Sequence, residues 1–252
     1  MADGLRSTER FTGRAAAYAR HRPSYPPEAI DAVLDGLGDP SGAVVADVGA
    51  GTGISARLFA DRGATVFAIE PNAAMRQAAA PHPRVTWHDG AADRTGLGGK
   101  SADVAVACQA FHWFATPEAM RELARIARRR IAVVQYERDE RDPFTRAYGE
   151  IVRRYATDDT ETLRAAAIGA FERNAPGRVW RCEFPARQSL TIEGVLGRAA
   201  SASYVPHDGP AHQALERDLR DAYARHERDG AVALAMVTYV LGADLDAGTE
   251  RQ

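Results

Sequence analysis

The feature that most constrains this chain is the string Asp47-Val48-Gly49-Ala50-Gly51-Thr52-Gly53. It follows Ala43-Val44-Val45-Ala46, an apolar run without polar alternation, as suits a strand covered on both faces. Glycines at every second position let the backbone turn sharply and let another group approach without meeting a Cβ atom. A helical pattern occupies residues 54–62, and its first turn offers free N–H groups and the positive end of a dipole. A second apolar run, Thr65-Val66-Phe67-Ala68-Ile69, then ends on Glu70, 17 residues beyond Gly53. Strand, glycine turn, helix, strand and acid in that order imply parallel strands joined by crossover helices.

The alternation continues downstream. Residues 72–80 read as a helix ended by Pro81 and Pro83, 85–87 as a third strand and 104–108 as a fourth. A helix is expected from Pro117 to about Arg129, with Arg128-Arg129-Arg130 closing it where cations suit the dipole, and a fifth strand over 131–136. Upstream, residues 8–20 can form a helix, the proline-broken 21–27 cannot, and 28–37 reads as a helix with Ile30, Val33, Leu34 and Leu37 on one face. After Tyr136 the pattern changes: 143–173 is mostly helical, 179–184 a strand, 211–228 a charged helix and 232–241 an apolar strand. The expected fold class is α/β: a doubly wound, seven-stranded Rossmann-like sheet with an N-terminal helical lid and a helical insertion after the fifth strand.

A glycine turn with an acid at the end of the next strand fits an adenosine-containing ligand, the acid accepting from ribose hydroxyls. Dinucleotide sites space their glycines G-x-G-x-x-G to seat a pyrophosphate. Here the spacing is G-x-G-x-G, and Asp47 stands two residues before the first glycine. S-adenosyl-L-methionine carries no phosphate, and Asp47 offers its ammonium an acidic partner, directly or through water. An NAD(P)-dependent oxidoreductase and a non-catalytic cofactor-binding regulatory protein remain the alternatives.

In these residues the sequence resembles the class I methyltransferases. The resemblance implies that Asp47, Gly49, Ala50, Gly51 and Gly53 hold the methionyl part and Glu70 the ribose. His88-Asp89-Gly90-Ala91-Ala92-Asp93 is similar to the family's loop that brackets the adenine; Ala91 stands where many members carry an aspartate, leaving that contact to backbone groups or Asp89. Pro71, Met75 and Gln109 complete the expected cofactor contacts. Gln109-Ala110-Phe111-His112-Trp113-Phe114 resembles the signature of the type 11 methyltransferases that include trans-aconitate methyltransferases, and residues 11–26 resemble that subgroup's opening. Tyr18 and Arg22 are expected in a lid over the methionyl end. Tyr25, His112, Trp113 and Tyr204 are expected at the substrate, with His112 as substrate contact or general base. The whole chain is expected to form one domain: 1–40 lid and first helix, 41–137 cofactor-binding core, 138–252 substrate-side helices and final strands.

The resemblance implies methyl transfer to a small-molecule acceptor, most readily a carboxylate or hydroxyl oxygen. Alignment of reactants alone supplies about 7–11 kcal/mol in favourable cases, so a strong base is not obligatory. A carboxylate needs none; a hydroxyl would use His112. The acceptor pocket is expected between residues 109–114 and the segments after Tyr136, where Phe144, Arg146, Tyr148 and Tyr204 offer aromatic and cationic contacts.

Composition narrows the partners. With 32 basic and 34 acidic side chains the formal charge is −2, which calls for neither nucleic acid nor an anionic membrane. The longest apolar stretch, 231–242, is too short to span a bilayer, and the N-terminus has no signal-peptide core, so a cytoplasmic monomer or homodimer is expected. Cys108 and Cys182 are too few for a disulfide framework, and each is expected to be a buried, reduced thiol. The seven histidines show no metal-ligand spacing, so no metal is expected.

Overall fold

The computed structural model describes residues 24–245. The expected crossover pattern produces strands β1 (Val44–Val48), β2 (Thr65–Ile69), β3 (Val85–His88), β4 (Ala102–Cys108) and β5 (Ala127–Arg138), all parallel. Two strands from the C-terminal part, β6 (Arg178–Leu190) and β7 (Val232–Asp244), finish a seven-stranded sheet of order β3-β2-β1-β4-β5-β7-β6. β7 runs antiparallel between β5 and β6. The chain builds outward from β1 to β3 and then returns to β4 on the other side. That reversal opens a crevice at the C-terminal ends of β1 and β4, where doubly wound sheets bind ligands.

Helices α1 (Pro27–Leu34), α2 (Ile54–Asp61), α3 (Ala73–Gln77), α4 (Pro117–Ile126), α5 (Pro143–Arg154), α6 (Thr160–Asn174), α7 (Ile192–Ala200) and α8 (Gly209–His226) cover the sheet. Their starts are written in the sequence. Asn72, Thr116, Asp142, Asp159 and Thr191 each accept a backbone N–H from the first turn that follows. On one sheet face Ile30 and Val33 of α1 and Phe59 of α2 pack on Val45, Val66, Val104 and Val134. On the other, Leu123 and Ile126 of α4 and Phe171 of α6 pack on Ala46, Ile69, Ile131 and Val133. Both faces are buried, so β1 and β4 read as continuous apolar runs. Each fully buried side chain of this size contributes about 1.5–3 kcal/mol.

β6 and β7 are longer than β1 and overhang the sheet core. The overhang carries a third apolar cluster, in which Phe144 and Tyr148 of α5, Val195 of α7 and Leu215 and Leu219 of α8 pack on Leu190 and Leu234. This added layer adjoins the C-terminal end of β5.

Three expectations change. Arg128, Arg129 and Arg130 do not close a helix: α4 ends at Ile126 and β5 begins at Ala127. Acids and carbonyls across the sheet draw them into the strand. Arg128 donates to Asp103 at 2.9 Å and Arg130 to Asp244 at 2.6 Å, while Arg129 donates to the carbonyls of Leu37 and Gly36. Arg130 also donates to the carbonyls of Val33 and Asp35, so cations do meet a helix C-terminus, that of α1. Cys182 is exposed rather than buried, because it lies on the edge strand β6; Cys108, on the central β4, is buried. Residues 192–200, left unassigned by the sequence pattern, form α7.

Candidate active site

The glycine turn is fastened to the end of β2. Gly49 and Ala50 donate their N–H groups to the carbonyl of Ile69 at 2.8 and 3.1 Å. Glu70, the next residue, is 9% exposed, and its two carboxylate oxygens accept from the backbone N–H of Gly51 and of Asn72, each at 2.9 Å. Burial pushes its carboxyl upward, and the two backbone bonds oppose that rise. Gly49 has φ +74°, and a Cβ there would stand 2.7 Å from that of Ala110, so the turn closes only without a side chain.

A cavity of about 390 Å³ opens over this turn at the sheet's C-terminal edge. Its floor is Gly49, Ala50, Gly51 and Thr52, with Glu70 at one side. Pro71, Met75, Gly90, Ala91, Ala92 and Asp93 form a largely apolar slot beyond Glu70; Gln109, Trp113, Phe114, Tyr25 and Tyr136 close the other end. Gln109 has φ +53°, an uncommon backbone for a non-glycine residue, and its side-chain nitrogen donates to the carbonyl of Tyr136 at 2.9 Å. That bond ties the end of β4 to the end of β5.

Several expected residues lie elsewhere. Asp47 is fully buried beneath the turn and off the cavity wall, accepting from the Ser55 hydroxyl at 2.6 Å. Burial raises its carboxyl to about 7, with the charge of Glu70 adding to the rise. Gly53, at φ +73°, begins α2 behind the cavity, close to Trp87. Asp89 is a surface residue paired with Arg76 at 3.2 Å, and Asp93 is the acid on the wall instead. His112 is buried off the wall, its ring 4.6 Å from that of Trp113, centre to centre. Arg146 is tied to the carbonyl of Glu140 on the surface, and Phe144 belongs to the third apolar cluster. Tyr18 and Arg22 lie outside the described residues. Sequence reasoning did not single out Thr52, Asn72, Cys108 or Tyr136 as wall residues, and only the strand order brings Tyr136 beside the β4 terminus.

A second cavity of about 300 Å³ adjoins the overhang, and Tyr136 lines both. Tyr148, Arg164, Arg198 and Tyr204 line the second, so Tyr204 is not on the wall of the first. Among the described residues no group of three potential ligand side chains converges on a metal position, and no helix is long and apolar enough to cross a membrane.

The first cavity has what S-adenosylmethionine requires. It offers a carboxylate at the end of β2, a cradle that a Cβ would fill, and an apolar slot. It also holds two buried polar atoms, Thr52 Oγ1 and Gln109 Oε1, with no hydrogen-bond partner among the described residues.

Comparison with known proteins agrees with this class. Residues 46–132, which run from β1 into β5, match the family model of the type 11 methyltransferase domain. A stretch of 148 residues is 38% identical to an uncharacterized methyltransferase of Mycobacterium tuberculosis (strain ATCC 25618 / H37Rv), covering 57% of this chain and 59% of that protein. The match thus spans less than two thirds of that relative's length. An uncharacterized methyltransferase-like protein of Schizosaccharomyces pombe is 27% identical over 199 residues, 77% of this chain and 78% of that protein. A solved structure from Anaeromyxobacter dehalogenans, provisionally classed as a type II methyltransferase, superposes with a TM-score of 0.64 at 23% identity. It covers 88% of this chain and 97% of that one, and it shows the fold.

Proposed function

We propose that this chain transfers a methyl group from S-adenosyl-L-methionine to a small-molecule acceptor, at a carboxylate or hydroxyl oxygen. The observation that carries the reading is Glu70, fixed by the amides of Gly51 and Asn72 at the rim of the 390 Å³ cavity, inside a segment that matches the methyltransferase domain. The Gln109–Phe114 string supports the finer reading of a trans-aconitate-methyltransferase-like subgroup.

The cofactor supplies a methyl group already activated by a sulfonium. The protein's own task is alignment and exclusion of water. Glu70 would accept from the ribose hydroxyls with lone pairs left over from its backbone bonds. Met75, Ala91 and Ala92 would hold the adenine, and Gly49 and Gly51 would hold the methionyl part against the backbone. The buried Asp47 places a negative charge beneath that part, which favours a cationic ligand. Trp113 and Tyr136 line the end away from the adenine slot, where the acceptor would meet the methyl group. His112 acts through Trp113, whose ring it braces, rather than by touching the acceptor.

The test is turnover: purified protein is incubated with methyl-labelled S-adenosylmethionine and a small-molecule extract. Label is expected in a low-molecular-weight product. Bound cofactor without any transfer would favour a regulatory protein, and reduction of NAD(P) with an extract component would favour the oxidoreductase.

A further inference from the structure

Arg198, in the last turn of α7, is only 9% exposed. Its Nε is buried with no hydrogen-bond partner among the described residues, and it forms no ion pair there. The guanidinium lies over the ring of Tyr136, 5.3 Å from its centre, and faces the second cavity. A buried charge without an ionic partner is costly, and proteins retain one mainly where a ligand completes it.

Two of the other arginines of this cavity are ion-paired, and the guanidinium of Arg164 lies over the ring of Tyr204, 6.0 Å from its centre. Glu140 and Glu161 are both engaged by Arg138 and Arg153, the Arg153–Glu140 contact including a bond of 3.0 Å. Glu137 accepts from Gln135 at 3.1 Å. Four arginines and three glutamates line this wall, so the formal charge of the lining is positive by one. The rest of the lining is aromatic or apolar: Tyr148, Tyr204, Leu234 and Met236. A volume of about 300 Å³ is at the small end for ligand sites.

We propose that the second cavity binds the acceptor as a small, partly apolar organic acid, with Arg198 pairing to its carboxylate. This rests on the methyltransferase reading and names its substrate class. Tyr136 lines both cavities and stacks with Arg198, so an acid anchored there lies on the far side of Tyr136 from the cofactor cavity. A carboxylate bonded to a guanidinium has its lone pairs engaged and is a weakened nucleophile. The anchored carboxylate is therefore the handle, and a second oxygen of the same molecule faces the cofactor cavity.

The test is calorimetry on the full chain saturated with S-adenosylhomocysteine, titrated with 4-hydroxybenzoate, phenylacetate and succinate, and with the uncharged amide of each. At least one acid should bind, and its amide should bind roughly tenfold more weakly or worse, a contrast that needs no mutation. Arg198→Met should weaken the acid by a similar factor and leave S-adenosylhomocysteine affinity unchanged; Arg198→Lys should recover part of the loss. The proposal is overturned if none of the acids binds the cofactor-loaded protein, if acid and amide bind alike, or if inorganic phosphate binds as tightly as the best acid. Failure of S-adenosylhomocysteine itself to bind would overturn the methyltransferase reading as well, and so is a distinct result.

Discussion

Replacing Asp47 by asparagine is expected to stabilise the protein above neutral pH while weakening its hold on a cationic cofactor. Burial raises the Asp47 carboxyl from 3.8 to about 7. The folded state therefore binds this proton more tightly than the unfolded chain does. Between about pH 4 and pH 7 stability falls as pH rises, and above that window the loss is complete. About three pKa units at 1.36 kcal/mol each put the full cost on the order of 4 kcal/mol. Asparagine has no ionisation to suppress, and its amide oxygen can still accept from Ser55, which donates to Asp47 at 2.6 Å in the native protein. The two proteins should differ little near pH 4 and diverge towards pH 8. For a chain of this length the gap there corresponds to a Tm difference on the order of 10 °C. Thermal unfolding of both proteins without ligand, from pH 4 to 8.5, measures it. Parallel stability curves, or a variant less stable than native at pH 8, would refute the claim that Asp47 is a carboxylate kept against the fold's preference for the cofactor's charge.

Gly49→Ala should cost about 1–3 kcal/mol and narrow the cavity, because φ is +74° and the new methyl would meet Ala110 at 2.7 Å; chemical denaturation and cofactor titration read the two effects. Trp113→Ala is expected to reduce methyl transfer at saturating substrates more than His112→Ala does, since Trp113 is on the wall and His112 behind it; the reverse order would return His112 to the role of base. Glu122, held at about 2 chiefly by its bond from Arg125, adds stability that is complete above about pH 4.5 and lost as pH falls through 2; Glu122→Gln should flatten that part of an acid titration. Deleting residues 1–26 should leave a folded protein with weaker cofactor affinity, and undiminished affinity would show that this segment does not contribute to binding.

The cofactor side of this molecule was legible because its signals are local. The glycines, the two apolar runs and Glu70 lie within about 30 residues, and each works through backbone geometry or one nearby bond. Caps such as Asn72 and Thr116 are equally local, so helix starts were placed closely. What the sequence hid depends on distant partners. Arg128–Arg130 resemble a helix end until Asp103, Asp244 and the carbonyls of Gly36 and Leu37 draw them into β5. Asp47 is marked as important by its place before the glycines, but whether it faces ligand or core depends on Ser55, in the first turn of the next helix. His112 and Trp113 are adjacent in sequence, and only the short helical turn at 111–113 decides which reaches the cavity. Arg198 carried no signal at all, because α7 itself went unread and its isolation follows from how α5, α6 and β5 pair their own charges.

The central claim is that the Glu70 cavity holds S-adenosylmethionine, and calorimetric titration of that cofactor and of NAD into native protein and Glu70→Gln tests it most directly. The native protein should bind S-adenosylmethionine and not NAD. The variant, which keeps a side-chain oxygen for the Gly51 or Asn72 amide but loses the charge-assisted ribose bonds at roughly 1.5–3 kcal/mol each, should bind at least about tenfold more weakly. Equal affinity in the two proteins, or binding of NAD in place of S-adenosylmethionine, would contradict the account.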